Sequence, residues 1–226
     1  MIIITGSSGG IGSYLLRDLN EYDSLIGIYN KNKPTIENNK LILEKINLID
    51  LTKIKKFIKK YNKKLNNLAL IHCAAYKEDQ LAINTDLKNW NQTIDINLTG
   101  SFLITREILK LMIKNNYGRI IFFSSSGALQ GARGTSSYTA SKAGIIGLSK
   151  VISKEYAQFN VTSNVLNLGA FDTGLYKKLN QSLKKKILST IPSKKLGRLN
   201  NISNSIKFLI ESEFVNGAVI DVNGGA

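Results

Sequence analysis

A phenol, an ammonium and a hydroxyl stand at spacings that could do proton chemistry. In Ser137-Tyr138-Thr139-Ala140-Ser141-Lys142 the tyrosine and lysine are four positions apart, and Ser125 lies 13 positions before the tyrosine, at the end of an apolar run. Four residues make about one helical turn, so the two groups would share a helix face with Cβ atoms about 5–6 Å apart. An ammonium that close favours phenolate and is expected to lower the tyrosine from its ordinary pKa of about 10. Such a phenol can pass a proton to a carbonyl oxygen, or take one from an alcohol, near neutral pH. That is half of a carbonyl–alcohol redox reaction; the other half needs a hydride carrier.

The N-terminus offers a site for one. Met1-Ile2-Ile3-Ile4-Thr5 is a β-branched run of the kind that forms a buried parallel strand. It breaks at Gly6-Ser7-Ser8-Gly9-Gly10-Ile11-Gly12, and a helical pattern of Ile11, Leu15, Leu16 and Leu19 follows. Glycines there allow a tight turn, close backbone approach to a pyrophosphate and tight packing of helix on strand. Free amide N–H groups at the helix start would face the phosphates.

The elements that must position these groups alternate along the chain. Besides the first, strand candidates run near 24–29, 40–46, 67–73, 118–125, 161–167 and 217–222, with helical patterns between them. That alternation predicts an α/β fold, a seven-stranded parallel sheet covered on both faces. Such a sheet opens its ligand crevice at the carboxyl ends of the strands, where Gly6, Ser125 and Gly169 would gather. Length and a hydrophobic content of 43% suit one domain with a sizeable core.

No apolar stretch approaches the ~18 residues of a membrane span, and Met1–Thr5 lacks the basic leader of a signal peptide. The single cysteine, Cys73, excludes an internal disulfide and suits a reducing compartment, and its apolar surroundings predict an inert thiol. The formal charge of +15 raises the question of nucleic acid. Its arrangement argues for a solvated face instead. Between 51 and 64, Leu51, Ile54, Phe57, Ile58 and Tyr61 form one helical stripe, and Lys55, Lys56, Lys59, Lys60, Lys63 and Lys64 lie off it. A second lysine cluster, from Lys177 to Lys195, accompanies an apolar stripe of Leu175, Leu179, Leu183, Ile187 and Ile191.

Taken together, these motifs make the sequence resemble the short-chain dehydrogenase/reductase family along nearly all of its length. Thr5–Gly12 looks like the family's cofactor loop, Tyr138 and Lys142 like its catalytic pair, and Ser125 stands at the family's spacing from the tyrosine. Asn97, in Asp95-Ile96-Asn97-Leu98-Thr99-Gly100, matches the asparagine that completes the family's tetrad, and Val219–Gly225 looks like its last strand and glycine pair. The resemblance implies a single Rossmann-type doubly wound domain over 1–226, with a substrate lid around 174–196. It also assigns roles: Ser125 polarises a carbonyl, Tyr138 donates the proton, Lys142 holds the cofactor ribose, and Asn97 anchors a proton-relay water.

Cofactor contacts are expected from Gly6, Ser8, Gly10, Ile11, Gly12, Asn47, Ala74, Ala75, Tyr138, Lys142, Gly169 and Thr173. After the second strand the chain reads Asn30-Lys31-Asn32-Lys33, with no acid to repel a 2′-phosphate. NADPH is therefore expected over NADH, with Asn30 and Lys31 nearest the phosphate. The chain departs from the family where His72-Cys73-Ala74-Ala75 replaces Asn-Asn-Ala-Gly, and where Leu168 replaces the proline of a Pro-Gly-x3-Thr motif. His72 takes the place of a structural asparagine, and a structural role is expected of it.

The implied activity is an NADPH-dependent carbonyl reductase in the cytoplasm, most like the 3-oxoacyl-carrier-protein reductases, acting as a homotetramer on a small or carrier-bound substrate. Lysines around the lid would suit an acidic carrier or phosphorylated substrate. The competing readings are a ketoreductase of a sugar or other specialised metabolite, and a non-catalytic scaffold that binds nucleotide or nucleic acid.

Overall fold

A computed structural model describes residues 1–20, 24–36 and 40–226, apart from the side chain of Leu175. The chain runs β1 (Ile2–Thr5), α1 (Gly10–Asp18), β2 (Leu25–Tyr29), β3 (Leu41–Lys45), α2 (Leu51–Tyr61), β4 (Leu68–His72), α3 (Leu87–Ile94), α4 (Gly100–Lys114), β5 (Gly118–Ser125), α5 (Ser126–Gln130), α6 (Ser136–Glu155), β6 (Val161–Leu168), α7 (Gly174–Lys177), α8 (Gln181–Thr190), α9 (Leu199–Glu211) and β7 (Val219–Val222). Every expected strand forms within two residues of its sequence bounds.

All seven strands lie parallel in the order β3-β2-β1-β4-β5-β6-β7. The order reverses between β1 and β4, and their carboxyl ends, Thr5 beside His72, open the crevice between them. Strand residues alternate between the two faces because successive side chains point to opposite sides. Ile3, Ile26, Leu70 and Phe122 are buried with α2, α4 and α6, while Ile2, Ile4, Ile71 and Leu166 are buried with α1 and α9. Each fully buried Ile, Leu or Phe contributes about 1.5–3 kcal/mol, so the central strands are the most firmly held part of the sheet.

Helix α2 behaves as its stripe predicts. Ile54 and Phe57 are buried, the intervening lysines are exposed, and Asp50 caps the helix by accepting from the Lys53 N–H at 3.0 Å. The stripe in the second lysine cluster is only partly realised. Ile191 is buried, but Leu183 is 45% exposed, and none of the described residues of α8 is buried. Its C-terminal end is anchored instead through Ser193, whose N–H donates to the Gly224 carbonyl at 3.1 Å.

Candidate active site

The glycine loop is built for close approach. Gly6 has φ +62°, and a Cβ on it would lie 2.5 Å from the Ala74 backbone; one on Gly12 would lie 2.4 Å from the Gly6 carbonyl oxygen. The loop is therefore pressed against both the end of β4 and itself, which only glycine permits. Helix α1 starts at Gly10 with no side-chain cap and no acid in its first turn. Its first amides are thus available to an anion. A Cβ on Gly10 would meet Thr173 Oγ1 at 2.0 Å, which puts the turn at Thr173–Gly174 directly on the loop. Cradle and free amides fit the pyrophosphate of a dinucleotide, with Ser8 exposed and Ile11 half-buried alongside.

Around this cradle the other expected contacts divide. Ala74 donates to Thr5 Oγ1 at 3.4 Å and Ala75 is exposed beside it. Asn30 and Lys31 are exposed at the end of β2, and Asn47 Oδ1 accepts from the Ile49 N–H at 3.4 Å in the turn before α2. Gly169 has a packing reason of its own: a Cβ there would lie 2.7 Å from Asn223 Cα. The glycine is required by the backbone that follows β7, whatever else it serves.

The proton-transfer group gathers where β5 ends and α6 begins. Helix α6 carries Tyr138 and Lys142 on one face, and Lys142 Nζ lies 5.7 Å from the centroid of the Tyr138 ring. Ser125, the last residue of β5, is a neighbour of the phenol that favours its ionised form. Lys142 is 4% exposed and donates to the Phe123 carbonyl at 2.8 Å.

One expectation is overturned here: the phenol is held above its ordinary range, not below it. Burial pushes Tyr138 up to about 12 against the lowering effect of Ser125, with the Asp79 carboxylate adding to the rise. Burial also pulls Lys142 down to about 8. Helical spacing sets the faces correctly, but desolvation outweighs the ammonium, whose hydrogen bond goes to a backbone oxygen.

Asn97 lies in a single π-type turn, Asp95–Thr99, that joins α3 to α4. It is 1% exposed, and its side chain is a clamp. Oδ1 accepts from the Tyr76 N–H at 2.7 Å, while Nδ2 donates to the Tyr76 carbonyl and to Ser141 Oγ, each at 2.9 Å. Both amide hydrogens are committed to the scaffold, so the expected water anchor is first a brace for the segment after β4.

That segment holds what sequence reasoning missed. Lys77 Nζ stands 5.7 Å from the Tyr138 ring centroid, the same distance as Lys142, and pairs with Asp79 at 2.9 Å. Gln80 N–H donates to the Gly134 carbonyl at 2.9 Å and so ties the segment to the approach to α6. His72 is structural, as expected: its Nε2 meets Thr105 Oγ1 at 3.0 Å and its ring stacks on Phe122 at 4.4 Å. Burial lowers its pKa to about 3, so it is a neutral imidazole. Burial likewise pushes the Cys73 thiol well up, which keeps it inert.

A nucleotide cradle at a topological switch point, with a Ser-Tyr-Lys group at the neighbouring strand end, defines a nicotinamide-dependent oxidoreductase. The family model described as short chain dehydrogenase matches residues 1–184, and the chain belongs to that family. It is 34% identical to the 3-oxoacyl-[acyl-carrier-protein] reductase of Rickettsia conorii, over 99% of this chain and 95% of that protein. It is 30% identical to nodulation protein G of a Rhizobium species with the same coverage. A crystal structure of a putative gluconate dehydrogenase from Agrobacterium tumefaciens superposes with a TM-score of 0.90, at 23% identity over 100% of this chain and 94% of the other, and shares its fold. The enzyme is an NAD(P)-dependent oxidoreductase.

Proposed function

We propose that the protein is an NADPH-dependent carbonyl reductase of the 3-oxoacyl-carrier-protein type. The observation that supports this reading most is the buried Lys142 5.7 Å from the Tyr138 ring centroid, with Ser125 a neighbour of the phenol. Gly6, Gly10, Ile11 and Gly12 would hold the pyrophosphate, with Ser8, Ala74, Ala75 and Thr173 around it; Gly169, Tyr138 and Lys142 would stand toward the nicotinamide end. A nicotinamide nucleotide held there would supply the hydride. Ser125 hydrogen-bonds the carbonyl oxygen and polarises it. Tyr138 then gives that oxygen its proton; a phenol held near 12 is protonated at neutral pH, the state a proton donor requires. Lys142 lies buried behind the phenol, where a ribose hydroxyl could take the place of the Phe123 carbonyl as its partner.

Two further features support the finer assignment. The end of β2 offers the exposed Asn30 and Lys31 and no carboxylate, a setting suited to a 2′-phosphate, with Asn47 serving the adenine pocket. Leu87, Trp90, Phe102 and Val151 leave large apolar surface exposed on α3, α4 and α6, as a homotetramer built through the helices near Asn97 and Tyr138 would require. The segment 174–196, with its lysine-rich helix, would serve as the substrate lid of a cytoplasmic enzyme.

The test is steady-state kinetics with acetoacetyl thioesters and keto-sugars. We expect reduction of the thioester with kcat/KM at least tenfold higher for NADPH than for NADH. A preference for NADH overturns the cofactor assignment, and turnover of keto-sugars alone overturns the acyl assignment.

A further inference from the structure

Two cations and one anion crowd the catalytic phenol, and only one of the cations belongs to the motif. Lys142 approaches the Tyr138 ring from α6 itself, and Ser125, at the end of β5, acts on the phenol in the sense that favours ionisation. From the segment after β4 come Lys77, at 5.7 Å from the ring centroid, and Asp79, whose carboxylate acts on the phenol and pairs with Lys77 at 2.9 Å. Glu78 lies between them in sequence but is taken up elsewhere, accepting from the Tyr76 hydroxyl, Gln80 Nε2 and Asn89 Nδ2.

We propose that the Lys77–Asp79 ion pair is a charge-setting device for Tyr138, in which Lys77, beside the ring, is a positioning residue that offsets the Asp79 carboxylate paired with it. The inference rests on the reading of Tyr138 as the proton donor. The pair is held in place at both ends. Asn97 grips the Tyr76 N–H and carbonyl on one side, and Gln80 is bonded to the Gly134 carbonyl on the other. Three residues bridging two fixed points cannot move far, so the pair keeps its place beside the ring.

Its two charges act on the phenol with opposite sign. Asp79 disfavours the phenolate, and Lys77, 5.7 Å from the ring centroid, opposes it, so each partner partly offsets the other. Removing either partner unmasks the other at a range where a single charge still shifts an ionisation by about half a unit or more, even partly screened. Lys77→Met should therefore hold the proton on Tyr138 more tightly, and Asp79→Asn should release it more easily. Restoring neutrality in the double variant should return the phenol to its original behaviour. An ordinary surface ion pair would move none of these.

The measurement is a pH titration of the Tyr138 ζ-carbon resonance in protein labelled with 13C-tyrosine, assigned by difference from Tyr138→Phe. A pH profile of kcat/KM for oxidation of ethyl 3-hydroxybutyrate accompanies it. We expect both titrations to move up in Lys77→Met, down in Asp79→Asn, and to return in the double variant and in Lys77→Arg. Identical titrations in the two single variants, or shifts in the same direction, overturn the proposal. Should Tyr138→Phe keep its turnover, the proton-donor reading falls; the resonance still reports the pair separately.

Discussion

At Asn97 both amide hydrogens are occupied before any ligand arrives, one by the Tyr76 carbonyl and one by Ser141 Oγ. Asn97→Ala would leave the Tyr76 N–H and carbonyl without their partners in a buried setting, at a cost of about 1–3 kcal/mol. We expect a lowered unfolding midpoint and a lowered kcat together, because the Lys77–Asp79 segment is freed from its brace. A kcat loss with an unchanged midpoint would return Asn97 to a purely water-anchoring role. Tyr138, Lys142 and Ser125 were legible because their relation is local: a helical turn fixes two of them and a strand end fixes the third. Lys77 and Asp79 were not, because two charges in an exposed connecting segment have no period or cap to mark them.

Among the elements, the β1–α1 turn is the tightest constraint. A Cβ on Gly12 would press on Gly6 backbone 2.4 Å away, whereas one on Gly10 would meet the Thr173 side chain first, and then the Gly174 amide at 2.6 Å. The Gly6 backbone is held between strand and helix, whereas the first atom met at Gly10 is Thr173 Oγ1, the end of a side chain that can rotate. Gly12→Val is therefore expected to lower the unfolding midpoint by several degrees. Gly10→Val should lower it less while weakening nucleotide affinity, read by NAD(P)H fluorescence titration. Equal destabilisation by both would show that the Thr173 turn is as rigid as the strand. The strands were legible as β-branched runs between polar breaks. Helix α8 was legible as a helix but not in its docking, since its apolar side chains remain largely exposed and its end is held by the C-terminal glycines.

Across the whole molecule, stability is tied to two buried bases. His72 titrates near 3 in the fold against 6.5 ordinarily, so as pH falls from 6.5 the unfolded chain takes up a proton that the folded chain refuses. Stability should fall through that window, by roughly 2 kcal/mol from this residue over two pH units. Lys142 behaves in the same sense at higher pH. Between about 8 and 10.5 the unfolded chain keeps a proton that the fold has lost, so stability rises with pH there. Unfolding midpoints from pH 4.5 to 6.5 should therefore slope upward, and His72→Asn should flatten that slope. A slope unchanged by the substitution would mean that carboxylates, and not the imidazole, govern acid sensitivity.

The alternation of strand and helix, the glycine loop and the candidates for the reacting groups follow from the order of residues alone, because period, turn and spacing are short-range properties of the chain. How those groups are charged does not. The state of the Tyr138 phenol depends on how deeply it is buried, on a Phe123 carbonyl that draws off the Lys142 ammonium, and on an ion pair some sixty residues upstream in the sequence. Desolvation and Coulomb interactions act through space, and only the packed tertiary structure sets those distances.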